Sequence, residues 1–296
     1  MILSESRFAG LTELRARNPE LVAVKAADRQ RRSLLGEDGN LMIIAADHPG
    51  RRILRVGTDE MAMSDRYQLL ERVVKALRRP GVDGLLATPD IVEDLLLLDE
   101  LENKIVFGSM NRGGLTGSAW ELDDRFTGYT PSAIQEMRLE GGKMLLRLDY
   151  DDKATIDTIE ACARAITELA ARSLPTLVEP LPVIRDAAQK LQLQSDPEAL
   201  IGAITVASAL GTTSAYTWLK VPTPSEPERV FAATTLPCLL LGGDPGDQAE
   251  DVVRSWKRGM AVPNVRGLVV GRSLLYPRDG DVLGWVDRAA EIVHAT

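Results

Sequence analysis

Eight short apolar runs, each followed by a loop and then a longer amphipathic stretch, recur along the chain, and this alternation restricts the fold more than any other feature. The expected strands are Leu41 to Ala46, Gly84 to Ala87, Ile105 to Ser109, Lys143 to Leu148, Thr176 to Glu179, Tyr216 to Val221, Cys238 to Leu241 and Gly267 to Val270. The expected helices run over 65–78, 91–102, 131–140, 154–172, 197–210, 226–233, 248–260 and 282–295. Ser195 and Ser225, each followed three residues later by glutamate, read as capping boxes, and Thr130 before Pro131 reads as a third N-cap. Eight right-handed strand-to-helix crossovers with no strand-only segment close most simply into a barrel. The expected architecture is therefore α/β, a single (β/α)8 TIM barrel of one domain over residues 1–296. Residues 1–40 form an N-terminal helical extension covering the barrel floor, and residues 41–296 form the barrel.

A length of 296 residues with 45% apolar side chains suits one such barrel. Thirty-five basic against 43 acidic residues leave a net charge of −8, which disfavours nonspecific binding to nucleic acid or anionic lipid. Cys162 and Cys238 lie far apart, and His48 and His294 are the only histidines, so disulfide frameworks and ordinary zinc sites lack material. No metal or cofactor is expected, and a reducing cytoplasm is the expected location. The N-terminus has no apolar core of signal-peptide length, and the most apolar stretch, Ala199 to Leu210, is about half a membrane span.

In a TIM barrel the active site lies at the carboxyl ends of the strands, so polar residues there are the candidates. Arginine outnumbers lysine 27 to 8, which makes Lys143 and Lys220, both inside apolar strand patterns, unusual placements. Period-two alternation puts Lys220 on one face with Trp218 and Tyr216, and a lysine facing the helices would be buried among aliphatics, so this face points inward. An amine desolvated there loses its proton more readily and can attack a carbonyl, which is Schiff-base chemistry. The competing reading is a lysine that pairs with Glu179 and merely holds the barrel. Lys143 shares a face with Arg147 and Asp149; it is either a second cation that depresses the nucleophile's pKa or an exposed lysine entering the strand from below. Glu179 and Asp47 end apolar strands and can shuttle protons, with a loop cap as the alternative for Asp47. Gly242-Gly243 and Gly271-Arg272 follow the seventh and eighth strands, where this fold holds phosphate on loop amides; Arg272 could instead pair with Asp244 or Asp247.

Three segments, Gly142-Lys143-Met144-Leu145-Leu146-Arg147-Leu148-Asp149-Tyr150-Asp151, Leu174-Pro175-Thr176-Leu177-Val178-Glu179-Pro180 and Trp218-Leu219-Lys220-Val221-Pro222, resemble in order and spacing the tagatose 1,6-bisphosphate aldolase group of class I aldolases. The ends of the first, seventh and eighth strands resemble the wider class I bacterial and archaeal fructose-bisphosphate aldolases. Taken together, the chain looks most like an actinobacterial aldolase-like barrel associated with inositol catabolism, related to the aldolase that cleaves 2-deoxy-5-keto-gluconate 6-phosphate. The resemblance implies Lys220 as the Schiff-base lysine, Glu179 as the proton shuttle, Lys143 as the accessory cation and Asp47 as the substrate-binding carboxylate. Arg147, Asp149 and Trp218 are expected to contact substrate, and Gly242, Gly243, Gly271 and Arg272 its phosphate. The sequence departs from the family pattern at His48-Pro49-Gly50, where proline enters the strand-one motif, and at Arg147-Leu148, which replaces an aromatic pair.

The implied activity is that of a metal-independent class I aldolase, a lyase making or breaking a carbon–carbon bond in a phosphorylated ketose or keto-acid sugar. The partner is then a phosphorylated sugar, with no nucleic acid and no membrane, and homo-oligomer formation stays open. A phosphosugar isomerase or epimerase using Glu179 as base, or a non-catalytic sugar-phosphate-binding barrel, are the rival readings.

Overall fold

A computed structural model describes residues 3–188, 190–243 and 249–295 of the chain. Eight parallel strands pair in sequence order: β1 (Leu41–Ala45), β2 (Gly84–Ala87), β3 (Ile105–Ser109), β4 (Gly141–Leu148), β5 (Thr176–Arg185), then, past the short β6 (Leu191–Leu193), β7 (Thr217–Pro222), β8 (Cys238–Leu241) and β9 (Val265–Val270). The last strand returns to the first through Leu41↔Gly267, so the sheet has no open edge around the barrel and the fold is a (β/α)8 TIM barrel. Strand β6 stands outside the ring, pairing antiparallel with the far end of β5. It was not expected, because the run after Glu179 carries two prolines and reads as a loop.

The helices are α1 (Glu5–Arg17), α2 (Leu21–Asp28), α3 (Arg66–Leu77), α4 (Pro89–Leu97), α5 (Pro131–Glu136), α6 (Ala154–Ala170), α7 (Pro197–Ser208), α8 (Pro227–Phe231), α9 (Ala249–Met260), α10 (Arg272–Leu275) and α11 (Val282–His294). Thr130 caps α5 as expected, accepting from the Ala133 amide. At α7 the cap is Asp196 rather than Ser195, and at α8 the N-cap position falls on Glu226 with no side-chain cap; in both the proline at the next position fixes where the helix begins.

The apolar interior of the barrel is small: Leu41, Ile43, Ala45, Leu86, Ile105, Phe107, Leu177, Leu239 and Val269. They come from one face of β1, β2, β3, β5, β8 and β9, and the alternate residues pack outward against the helices. The N-terminal extension departs from expectation. Helices α1 and α2 lie on the flank: Arg15 of α1 pairs with Glu93 and Asp94 of α4, and Phe8 meets Tyr67 of α3 edge-on at 5.1 Å. The floor is closed instead by the non-helical segment after α2. Leu34 packs on the interior cluster, while Arg29 and Arg31 converge on buried Glu140 below β4 at 3.0 and 2.7 Å, and Arg32 reaches Asp83 below β2 at 2.6 Å. Both carboxylates also accept strand amides, Val106 N for Glu140 and Met42 N for Asp83, so the arginines fasten the strand starts to one another.

The closing seam depends on Gly267, whose φ of +133° is open only to glycine and whose absent Cβ would fall 1.9 Å from the Leu41 carbonyl oxygen. Gly267→Ala is expected to destabilise the fold by at least about 1 to 3 kcal/mol, measured by urea denaturation.

Candidate active site

At the carboxyl end of the barrel, above the apolar interior, three inward-facing strand positions and one residue beyond a strand bring together Asp47 past β1, Lys143 of β4, Glu179 of β5 and Lys220 of β7. Glu179 sits between the two lysines: its Oε1 lies 2.8 Å from Lys220 Nζ, and its Oε2 pairs with Lys143 Nζ. Lys143 Nζ also lies 3.4 Å from Asp47 Oδ2. All four are buried, so Lys143 does not enter from the bottom of its strand as an exposed residue, and Lys220 points inward as the alternation required.

The loop after β3 supplies what the sequence reading passed over. Arg112 places Nη2 2.7 Å from Asp47 Oδ2, an ion pair without the alignment of a hydrogen bond, and Ser109 Oγ donates to the same oxygen over 3.1 Å. Asn111 holds the loop on β4 by a reciprocal pair of bonds, Nδ2 to Leu145 O at 2.6 Å and Leu145 N to Oδ1 at 2.7 Å. Ser109-Met110-Asn111-Arg112 directly follows an apolar strand, so the rule that singled out the other strand ends would have found it.

Burial alone would raise the Glu179 carboxyl, but the two ammonium groups overcome it and hold it well below the usual carboxylate range. Asp47 is held low in the same way, against burial, chiefly by Arg112 and then by the lysines. Lys143 moves oppositely: burial, reinforced by Arg112, brings it down to about 8. The site thus contains Arg112, Lys143 and Lys220 against two carboxylates, an excess of cation inside a barrel whose overall charge is negative. Beside it, burial pushes His48 down to about 3, leaving a neutral ring whose Nδ1 has no partner among the described residues.

Three expected substrate contacts have other occupations. Arg147 is clamped by Asp124, Nε to Oδ2 at 2.8 Å and Nη2 to Oδ1 at 2.7 Å, and also bonds the Glu121 carbonyl, so it fixes the β3–α5 loop rather than facing a ligand. Asp149 accepts from the Asp151 amide and, through its backbone, exchanges bonds with Thr155 Oγ1, shaping the turn into α6. Trp218 pairs in register with Leu177 and packs with Leu34 in the interior cluster, one layer below Lys220 and toward the floor. Their strand face was readable, but their height along the barrel and their partners were not.

Of the expected phosphate residues, Gly242 and Gly271 end β8 and β9 at close approaches: a Cβ on Gly242 would meet Val270 at 2.4 Å and Ser273 Oγ at 2.7 Å, and one on Gly271 would meet the Ala45 carbonyl at 2.4 Å and His48 at 2.6 Å. Gly243 has φ +71°, and Arg272 donates to the Arg55 carbonyl at 3.5 Å. The pairing of Arg272 with Asp244 or Asp247 lies outside the described residues.

A family model described as Cgl0159-like matches residues 39–290. The chain belongs to the Cgl0159-like family. The crystal structure of Cgl0159 from Corynebacterium glutamicum is 48% identical over 99% of both chains, with a TM-score of 0.97. An archaeal fructose-1,6-bisphosphate aldolase, solved with its catalytic lysine covalently bound to the carbinolamine intermediate, superposes with a TM-score of 0.65 at 18% identity, covering 92% of this chain and 99% of its own. A fructose-bisphosphate aldolase from Slackia heliotrinireducens gives 0.60 at 15% identity, over 94% and 92%. These two share the barrel fold with this family member. No curated protein matches the sequence.

Glu179→Gln leaves two buried ammonium groups facing an amide, and is expected to lower stability at pH 7 by about 3 to 5 kcal/mol. The folded carboxyl titrates below the unfolded value of about 4.3, so its contribution is complete above that pH and is lost as pH falls through the folded value. Denaturation of both proteins across pH 3 to 7 should therefore show the gap narrowing at the acid end.

Proposed function

We propose that this member of the Cgl0159-like family is a class I aldolase acting on a phosphorylated ketose or keto-acid sugar. The observation that carries the reading is one buried carboxylate, Glu179, within 2.8 Å of an inward-facing lysine at the catalytic end of a barrel, with a second lysine on its other oxygen. A shared fold with Schiff-base aldolases agrees with it.

In this mechanism Lys220, once neutral, attacks the ketone carbon through its amine lone pair; the carbonyl oxygen takes one proton from that amine and a second from the site and leaves as water, forming an iminium. Glu179 accepts the proton of the hydroxyl two carbons away. The carbon–carbon bond then breaks, its electron pair moving into the iminium to give an enamine while the hydroxyl carbon becomes an aldehyde. The enamine carbon regains a proton and water hydrolyses the iminium, releasing the ketone and restoring Lys220. Lys143 stabilises negative charge on oxygen as the bond breaks, and Asp47, whose three donors all converge on Oδ2, offers Oδ1 to a substrate hydroxyl.

The phosphate is assigned to Gly242, Gly243, Gly271 and Arg272, with Ser273 Oγ, buried and without a hydrogen-bond partner among the described residues, as a further donor. Fructose 1,6-bisphosphate, tagatose 1,6-bisphosphate and 2-deoxy-5-keto-gluconate 6-phosphate form the substrate panel, the last following from the resemblance to barrels of inositol catabolism.

Borohydride reduction in the presence of the true substrate is expected to add a stable mass to Lys220, and EDTA is expected to leave turnover intact. Lys220→Arg should fall by at least about a thousandfold, because a guanidinium stays protonated and cannot form the iminium. Turnover without a trapped adduct would instead favour an isomerase that uses Glu179 as base.

Arg272→Ala is expected to raise KM for the phosphorylated substrate about tenfold to a hundredfold, the value of one charge-assisted contact, with little change in kcat. The dephosphorylated analogue should show no such loss; an equal loss for both would mean that Arg272 does not read phosphate.

A further inference from the structure

Arg112 lies outside the set of groups that the proposed reaction uses, yet it is built into the site. Its backbone amide donates to Thr127 Oγ1 at 3.2 Å, Asn111 beside it is tied to β4, and the side chain is 8% exposed. Its Nε is buried with no hydrogen-bond partner among the described residues. Burying a guanidinium with its donors unsatisfied costs stability, which calls for a role other than holding the fold.

The contacts around Asp47 indicate that role. One carboxylate oxygen, Oδ2, is claimed by Arg112 at 2.7 Å, Ser109 at 3.1 Å and Lys143 at 3.4 Å, so Arg112 holds the short contact and Lys143 the long one. Lys143 is left with Glu179, which it shares with Lys220. Three cations thus face two anions, and the most deeply buried of the three, Lys143 at 1% exposure, shares each of its two carboxylates with another cation, Asp47 with Arg112 and Glu179 with Lys220.

We propose that Arg112 is a positioning residue of this site: by holding the short contact to Asp47 it keeps Lys143 at long range from that carboxylate, and so makes Lys143 the group that gives a proton to the substrate oxygen leaving as water and takes one back when water hydrolyses the iminium. The step balances without a co-reactant: iminium formation consumes one proton, which leaves Lys143 Nζ with the departing water, and hydrolysis of the iminium releases one, which returns to Nζ. The downward displacement of Lys143 to about 8 accords with this, Arg112 being its largest cause after burial. The groups facing Lys143 are Asp47 beyond β1, Ser109 and Arg112 at the end of β3, Glu179 of β5 and Lys220 of β7. Behind the strand stands the Cys162 thiol of α6, which burial keeps protonated.

The use of the proton rests on the aldolase reading, but the test does not. Lysine side chains of the full-length protein, labelled with 13C at Cε, are titrated by NMR, and Lys143 is assigned by the resonance missing from Lys143→Arg. In Arg112→Gln, or in Arg112→Met should the first not fold, Asp47 is released to Lys143 and a like charge is removed. The Lys143 midpoint should then rise by about one pH unit, a tenfold change in the neutral fraction at a given pH. Arg112→Lys keeps the charge and should restore the wild-type midpoint. A folded neutral variant with an unmoved midpoint would overturn the proposal, and so would a lysine variant that moves as far as glutamine or methionine. Failure of borohydride trapping in the wild type alongside the expected shifts would remove the aldolase reading and leave the Arg112 relation standing.

Discussion

A carboxylate shared between two buried lysines is the interaction on which the upper half of this barrel depends. Neither ammonium group would be stable in a protein interior alone, and Glu179 meets both because β4, β5 and β7 are neighbours in the ring. The pairing of β4 with β5 and of β5 with β7 brings the three side chains together, so no loop has to be ordered to assemble them. The same arrangement fixes protonation: Glu179 stays ionised because it is surrounded, and Lys143 is loosened because burial, reinforced by Arg112, outweighs the carboxylates beside it.

Around that centre the molecule has two kinds of scaffold. The floor is held by charge as much as by packing, with Arg29, Arg31 and Arg32 drawn to the carboxylates under β2 and β4. The mouth is held by the long connection after β3, where Asn111 copies a strand's hydrogen bonds to Leu145 and Asp124 clamps Arg147. That connection delivers Arg112, which explains how a residue outside every strand comes to lie as deep as the strand residues beside it.

The barrel was legible because eight apolar runs separated by amphipathic stretches have few other ways to close. Lys220 was legible from period-two alternation within Tyr216 to Val221, together with the unfavourable alternative of a lysine among the helix-facing aliphatics. Alternation gives a face but no height, and so Trp218, on the same face as Lys220, reads as a substrate contact although it belongs to the layer beneath. Arg147 and Asp149 mislead for a related reason: their engagement depends on Asp124 and Thr155, residues of segments whose course only the folded chain reveals. The floor is not legible because apolar periodicity marks α1 and α2 as helices without saying where they dock, whereas the charged segment after them has no periodicity to read.

The barrel closes between its first strand and its last, with Asn40 at the entrance of β1 donating to the Val293 carbonyl, 253 residues away. Until β9 has been synthesised, β1 has one unpaired edge and the interior has an open side, so the ionic layer cannot be sealed from water. Closure at such sequence separation slows folding and prolongs the exposure of apolar strand edges. A growing chain of this protein therefore passes through synthesis as an incomplete sheet whose net negative charge opposes pairing with others. Its lysines acquire their unusual chemistry only after the last strand has left the ribosome.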